Sequence, residues 1–350
     1  MMMTMDLKGY LQRLCFYLFY NSWGIFNSQN KKGYSIILPM PGELPVFLRF
    51  GFDWLKLQKK DNLVEILIIP DKLTKGFYEV YKEICRENSN LPLRLIPLGF
   101  FERLINYTAL FLGDVHKCYS IQVVRSIRNA ASEYLLLNDA DIFIFNNNFI
   151  EKQYQTCLER DLFCLGITNG WDDWFKEQGI NHIVGTCQIM FNKDWIMSFF
   201  PFQIFPQKVM VKDAWHNFDT FFLIQYLTDS AKILNVNWNS DFVHFESSIA
   251  TFRKFRREAS FHDAFFRILF IRIITDAYSC SYSNRYIPDL KELISGINSS
   301  FARVVYLYED IKNYLAFRTK IQKVINSGVL EKRKIEKIKR DLDLFENHIL

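Results

Sequence analysis

What the chain lacks narrows the field first. Its seven cysteines contain no C-x-x-C pair and are odd in number. That argues against a zinc ribbon or a disulfide framework and for reduced thiols in a cytoplasmic setting. No apolar run reaches the roughly 18 residues of a membrane span. The most apolar late stretch, Phe265 to Ile274, is broken by Arg267 and Arg272. The N-terminus lacks a signal-peptide pattern, since Asp6, Lys8 and Arg13 interrupt it. G-x-S-x-G, Walker A and H-E-x-x-H motifs are missing, which removes the signatures of serine hydrolases, P-loop enzymes and zinc proteases. An excess of one charge is also missing. The net charge of +5 over 350 residues does not call for a nucleic-acid partner, and none is expected.

What is present is globular: 49% hydrophobic and 23% charged residues, with 17% aromatics that include 34 Phe. Residues 5–20 repeat Leu7, Leu11, Leu14 and Leu18 at helical spacing. They read as an amphipathic helix, either packed on the domain or lying in a membrane interface. Asn21 to Gly33 reads as a loop. Basic residues gather late, at Arg253, Lys254, Arg256 and Arg257 and again from Lys332 to Arg340. They suit solvated helix faces or anionic headgroups. The expected organisation is an N-terminal helix and loop over 1–33, a catalytic domain over 34–250 and a helical region over 251–350.

Between these ends, apolar runs alternate with helical segments. Strands are expected at Pro45–Phe50, Leu63–Ile69, Leu93–Leu98, Tyr134–Leu137, Leu162–Ile167 and Gly185–Phe191. Helices are expected at Phe77–Glu87, Cys118–Ser132, Phe149–Asp161 and Trp215–Leu227. Trp238–Glu246 reads as extended. Such alternation implies βαβ units and a mostly parallel sheet. Its strands would bring their carboxyl ends to one edge. The fourth expected strand stops at Asn138-Asp139-Ala140-Asp141. Two carboxylates one residue apart at the end of a buried strand repel each other in an apolar setting. A divalent cation that prefers oxygen ligands, Mg2+ or Mn2+, removes that conflict and leaves coordination positions for phosphate.

The segment Arg128-Asn129-Ala130-Ala131-Ser132-Glu133-Tyr134, the apolar strand after it and the closing Asp139-Ala140-Asp141 resemble the family-2-like glycosyltransferases of GT-A fold. The resemblance covers roughly residues 45–250. It implies an α/β, Rossmann-like, mixed and mostly parallel sheet flanked by helices, with the C-terminal helices as an extension. It implies a nucleotide-diphosphate sugar donor, a UDP-sugar above all, with Mn2+ or Mg2+ on its diphosphate. The acceptor would be a hydroxyl of a glycan or a lipid-linked acceptor at the inner face of a membrane. Asp141 would ligate the metal, and Asp139 would meet the metal or the donor sugar. His244 would be a third metal or diphosphate contact. Asp71 would hold the nucleobase. Arg49 and Phe50 would meet the nucleotide where the first strand ends, and Arg128 belongs to the donor-binding motif. Asp219 would be the general base. Gly185 would let donor or acceptor approach the backbone, and Trp171, Trp174 and Trp215 could stack on a sugar.

The chain departs from the family pattern twice. Arg49-Phe50-Gly51-Phe52 replaces the usual Thr-Tyr-Asn-like loop after the first strand. Asn217-Phe218-Asp219 carries one carboxylate where the family often has two, so Asp213 stands as a rival base. Other readings are a degenerate transferase fold used as a scaffold and a haloacid-dehalogenase-type phosphatase with Asp172-Asp173 as its acidic pair. A sugar-phosphate nucleotidyltransferase would need a glycine-rich phosphate loop that Gly51 alone does not make.

Overall fold

The computed structural model describes residues 18, 20–24, 30–111, 115–168, 170, 172–237, 240–255, 265–280, 287–294 and 308–349. Most of the amphipathic stretch 5–20, Trp171, and the pair Arg256 and Arg257 lie outside the described residues.

The strands are β1 (Lys31–Met40), β2 (Leu63–Pro70), β3 (Leu93–Leu95), β4 (Ser132–Asn138), β5 (Ile142–Ile144), β6 (Cys164–Thr168), β7 (Val184–Asn192), β8 (Gln207–Val211), β9 (Ala214–Phe218), β10 (Ile233–Val236) and β11 (Phe242–His244). Seven of them form one sheet in the order β10-β6-β7-β4-β1-β2-β3. The pairs β1–β2, β1–β4, β2–β3 and β6–β10 are parallel. β7 runs antiparallel to both β4 and β6. The mixed, mostly parallel sheet expected from the sequence is therefore present. β5 pairs antiparallel with β11, and β8 with β9, outside that sheet.

Burial on both faces explains why the central strands are continuous apolar runs rather than alternating ones. In β1, Ile36 and Leu38 enter one core and Ile37 enters the other. In β4, Leu136 faces the first core while Leu135 and Leu137 face the second. The period of two sorts one apolar string between two helical layers.

Two local expectations are corrected. First, the opening strand is Lys31–Met40, and Pro45–Phe50 lies in the helix Val46–Leu55 with its N-cap at Pro45. Both stretches are short and apolar, and a short apolar run does not distinguish a buried strand from a buried helix. Pro39, Pro41 and Pro45 punctuate the region, and proline suits the first helical turn. Gly42 makes the connection possible, since a Cβ there would sit 1.6 Å from the Lys72 carbonyl oxygen.

Second, the expected helix from Trp215 to Leu227 is a hairpin strand, β9, followed by the short helix Phe222–Tyr226. The turn at Lys212 and Asp213 has φ of 47° and 65°. Two consecutive left-handed residues fit the tight turn that joins twisted hairpin strands.

The apolar stretch Phe265–Ile274 is part of the core. It lies in the helix Phe265–Ala277, where Leu269, Ile271 and Ile273 are each 0% exposed. Phe270 stacks on Phe245 at 3.9 Å and meets Phe47 edge-on. The helix Lys332–Ile349 lies across it, and Lys334 pairs with Asp53 of the helix Val46–Leu55 at 2.8 Å. Part of the late basic run is therefore internal structure. Among the described residues no helix is long and apolar enough to cross a membrane.

Candidate active site

The carboxyl ends of β1, β2, β4 and β6 meet the amino end of β7 at one edge of the sheet. There they open into a cavity of about 890 Å³. This is the edge at which open α/β sheets bind ligands. One wall is the turn from β4 to β5. The Asp139 amide donates to the Cys187 carbonyl of β7 at 2.7 Å, which fixes the turn. Antiparallel pairing then sets His244 of β11 opposite Ile142 of β5. The register therefore brings His244 beside Asp141, across a sequence gap of about a hundred residues.

The ligand atoms of Asp139, Asp141 and His244 lie within 4.8 Å of one another. His244 Nε2 is 3.2 Å from Asp141 Oδ1 and 3.9 Å from Asp139 Oδ2. After β11, Glu246 and Ser247 adopt φ of 41° and 55°. That turn aims the Ser248 amide at Asp141 Oδ2, at 3.0 Å. Left-handed backbone at a non-glycine residue costs about 1–2 kcal/mol. Here it is held by the anchored carboxylate and by the helix Ser248–Phe255 that begins at this point.

The two carboxylates are driven apart in acidity. Burial raises the Asp139 carboxyl, and the neighbouring Asp141 raises it further, to about 7. Burial also opposes charge on Asp141, but His244 and the Ser248 amide outweigh it and hold Asp141 below its ordinary range. Burial disfavours the His244 cation, but Cys187 and Asp141 beside it prevail and hold its pKa well above the usual imidazole range. The site is an anion-rich cluster that takes up protons.

Asp139 Oδ1 and His244 Nε2 are both buried without an aligned hydrogen-bond partner. Buried polar atoms are nearly always satisfied, so two orphans converging on one point ask for a ligand. Two carboxylates and one imidazole within reach of one centre could hold a divalent cation, and the carboxylate oxygens suit Mg2+ or Mn2+.

A second wall carries Asp219, His116, Tyr119 and Thr220. Asp219 Oδ1 accepts from the Thr220 amide at 2.7 Å and lies 3.8 Å from His116 Nδ1. The Tyr119 hydroxyl donates to the Thr186 carbonyl at 3.3 Å. Burial, then the charge of Asp139, push its phenol well above its usual range. A third wall is the end of β1 and β2. Asp71 is 3% exposed, and its Oδ1 accepts from the Gly42 amide at 2.8 Å while Oδ2 accepts from Arg253. Gln122 joins the two strand ends, donating to the Met40 and Ile69 carbonyls at 3.1 and 2.6 Å. The last wall comes from the C-terminal helices and holds Arg267, Lys320 and Lys323 around Glu246.

Of the residues singled out in the sequence, Asp71, Asp139, Asp141, Asp219 and His244 line this one cavity. The others do not. Arg49 sits on a helix and pairs with Glu83 and Glu87. Phe50 is 2% exposed in the core, against Phe143 and Phe270. Both follow from the displaced first strand. The residues that occupy its true end are Met40 and Pro41. Arg128 points to the far side, donating to the Ser22 carbonyl at 3.0 Å and lying over the Tyr20 ring. Gly185 is buried in β7 beside the lining residues Thr186 and Cys187. Asp213 is exposed at the tip of the β8–β9 hairpin. Trp174 stacks on His216, and Trp215 is 53% exposed with Lys208 over its ring.

The sequence reading missed Tyr119, Gln122 and Arg253 as parts of the site. A signal existed for Gln122. Cys118, Gln122 and Ser126 recur every four residues on a helix and are all buried. A buried Gln on an otherwise small-residue stripe needs partners. Arg253 was hidden inside a run of basic residues.

No protein-family model matches the sequence, and no curated protein matches it. Solved structures do overlay on it. S. aureus TarS 1–349 overlays with a TM-score of 0.39 at 12% identity, over 90% of this chain and 91% of that one. The mannosyltransferase PcManGT from Pyrobaculum calidifontis, in complex with GDP-Man and Mn2+, gives 0.40 at 10% identity over 96% and 95%. The galactosyltransferase LgtC, with donor and acceptor sugar analogs, gives 0.35 at 11% identity over 49% and 62%. At such identities and TM-scores these overlays carry no residue role or activity across to this chain.

Proposed function

We propose that the chain is a metal-dependent glycosyltransferase. It moves a sugar from a nucleotide-diphosphate donor, a UDP-sugar above all, to a hydroxyl of a glycan or lipid-linked acceptor. The observation that carries this reading is the convergence of Asp139, Asp141 and His244 on one point, in a cavity that a further carboxylate, Asp219, also lines. The resemblance of the segment from Arg128 to Asp141 to family-2-like transferases supports the choice of chemistry.

When bound, Mn2+ or Mg2+ at this trio would neutralise the charge that develops on a diphosphate leaving group. The chain's own residues do the rest. Asp141 is held ionised by His244 and the Ser248 amide, and so is ready to ligate. Asp139, beside it, would be the second carboxylate to hold the cation. Asp71, with Arg253, forms the nucleotide end of the cavity. Breaking a buried ion pair of this kind by removing one partner costs about 3–5 kcal/mol. Asp71 therefore orders the Gly42 loop and Arg253, and the base is read against an already rigid wall. Asp219 takes the proton from the acceptor hydroxyl. Its place in the cavity lining supports it over Asp213, which lies on an exposed turn. A general base contributes about 10²–10⁴-fold to rate.

The phosphatase alternative has less support. Asp172 pairs with His216 and Asp173 with Lys176, and neither lines the cavity. The scaffold alternative predicts no turnover.

Contact with a membrane at its inner, cytoplasmic face is part of the proposal. Phe100, Phe101, Leu104 and Tyr107 on one helix are each more than half exposed, and they support it. Flotation with anionic liposomes at low salt should bring the protein up with the vesicles, and recovery wholly in the soluble fraction would remove this part. Turnover is tested by UDP release from a panel of UDP-sugars with Mn2+. Release that depends on the metal and vanishes in Asp141→Asn is expected. No release from any donor, in folded protein, favours the scaffold.

A further inference from the structure

A second concavity, of about 580 Å³, adjoins the first. That size falls in the range of small-ligand sites, about 300–1,000 Å³. It lies between the far end of the β5–β11 ribbon and the helix Tyr308–Asn326. The ribbon links the two places. Asp141 and His244 stand at one end of it. Phe145 and Ser240 stand at the other, where the Phe145 amide donates to the Asp241 carbonyl at 2.8 Å. Three strand residues separate the ends, about 10 Å. Lys323 lines both concavities.

The chemistry of this second lining differs from the first. It holds hydroxyl and amide side chains, one half-buried aromatic ring and two cations, and no carboxylate. Arg318 is held by Glu346 at 2.6 Å and donates to Gln322 Oε1 at 2.7 Å. Gln322 donates in turn to Asn326 Oδ1 at 2.7 Å. These bonds form a rigid polar rail along one helix face, four residues to a step. Lys323 stands beside the rail, exposed and without an ion pair among the described residues. Amides and hydroxyls on a rail suit sugar hydroxyls. Lys323 suits an acidic group on the side of the second concavity, whose lining holds no carboxylate, and a charge-assisted contact is about twice as strong as a neutral one.

We propose that this second concavity is an acceptor subsite for an anionic oligosaccharide chain, reached from the active cavity across Lys323. The proposal rests on the transferase reading of the first cavity only for the word acceptor. A growing chain would place its reacting end near Asp219 and the metal trio and lay an earlier, acidic unit against Lys323 and the rail. The subsite chooses chains over single sugars and acidic chains over neutral ones.

The test is calorimetric titration of the full-length protein, without nucleotide or metal, with three hexasaccharides. One is oligogalacturonate, one is heparin-derived and one is neutral maltohexaose. The variants are Lys323→Gln and, as a control, Lys332→Gln on another helix, where the lysine is 92% exposed. At least one acidic hexasaccharide should bind wild type about tenfold more tightly than maltohexaose. Lys323→Gln should abolish that preference while Lys332→Gln keeps it. The thermal shift with UDP and Mn2+ should be the same in wild type and in Lys332→Gln, and Lys323→Gln should still show one. Saturation by neither acidic chain, equal loss in both variants, or equal binding of the neutral chain would overturn the proposal. Loss of the UDP shift in Lys323→Gln would also overturn it, since the lysine would then serve the donor diphosphate. If wild type shows no UDP shift but the acidic preference still depends on Lys323, the subsite stands and the transferase reading falls.

Discussion

The two ends of the central sheet treat buried polar groups in opposite ways. At the amino end of β1, β2 and β4 every group closes on another. Glu65 accepts from Ser35 Oγ at 3.1 Å and from the Ala131 amide at 2.6 Å, and Arg94 pairs with it. Ser132 bonds to Ser35 at 2.7 Å. At the carboxyl end, Asp139 and His244 each keep a buried atom without an aligned partner. Both ends bury carboxylates in a low-dielectric setting. The closed network holds strands together, and the open one is arranged around something it does not itself contain. The difference between a structural and a functional cluster here is satisfaction, not composition.

That contrast can be broken by mutation. The largest effect is expected at the open end. Asp141→Asn keeps shape but removes the charge that His244 and Ser248 hold in place. It should lower kcat/KM for donor turnover by about a thousandfold, in line with loss of a principal electrostatic stabiliser, with the melting temperature little changed. Glu65→Ala at the closed end should do the reverse. It leaves Arg94, Ser35 and the Ala131 amide without their acceptor and should destabilise by about 3 kcal/mol in denaturant titration, with nucleotide affinity of the folded fraction intact. An equal loss of stability in both variants would dissolve the comparison.

Asp219→Asn sharpens it at the further carboxylate of the cavity. A fall in kcat of about a hundredfold with unchanged donor KM is expected of a general base. Asp213→Asn should change neither constant.

The smallest effect concerns an orphan with no companions. Asp341 Oδ2 is also buried and unpartnered, but it belongs to no group of converging ligand atoms among the described residues. Burial raises its carboxyl above the ordinary value, against the pull of Arg340. The folded chain therefore disfavours its ionised form. That cost is absent below the unfolded value and is fully present above the folded one. Asp341→Asn should gain at most about 1 kcal/mol at pH 7, and the gain should shrink as pH falls toward 4. Mn2+ should leave this variant's behaviour identical to wild type.

The sequence made the open end legible and left much of its frame unread. The D-x-D at the end of an apolar strand is a local signal, and Asp139 and Asp141 stand where it put them. His244 and Asp71 also lie at strand ends, so order along the chain sufficed to find them. Arg49 and Phe50 failed because they depended on which of two neighbouring apolar runs was the first strand. β1 ends at Pro39-Met40 with Pro41 just beyond it, and prolines there read as punctuation although Pro39 sits within the ladder opposite Ile69. Asp219 lines the cavity from the loop after β9 and not from a helix, since aromatic spacing in 215–226 fits a helix as well as a hairpin strand. Contacts between distant segments, such as Arg253 with Asp71 or the helix Tyr308–Asn326 with β11, have no local signal at all. They follow from how the C-terminal helices dock.

The most direct test is an electron paramagnetic resonance titration of Mn2+ into wild type and into His244→Ala, each with and without UDP. One tight Mn2+ per chain is expected in wild type, with a further tightening when UDP is added, and a loss of at least tenfold in affinity in His244→Ala. Mn2+ that binds both proteins alike, or a wild type in which UDP leaves the spectrum unchanged, would contradict a nucleotide-sugar metal site at Asp139, Asp141 and His244.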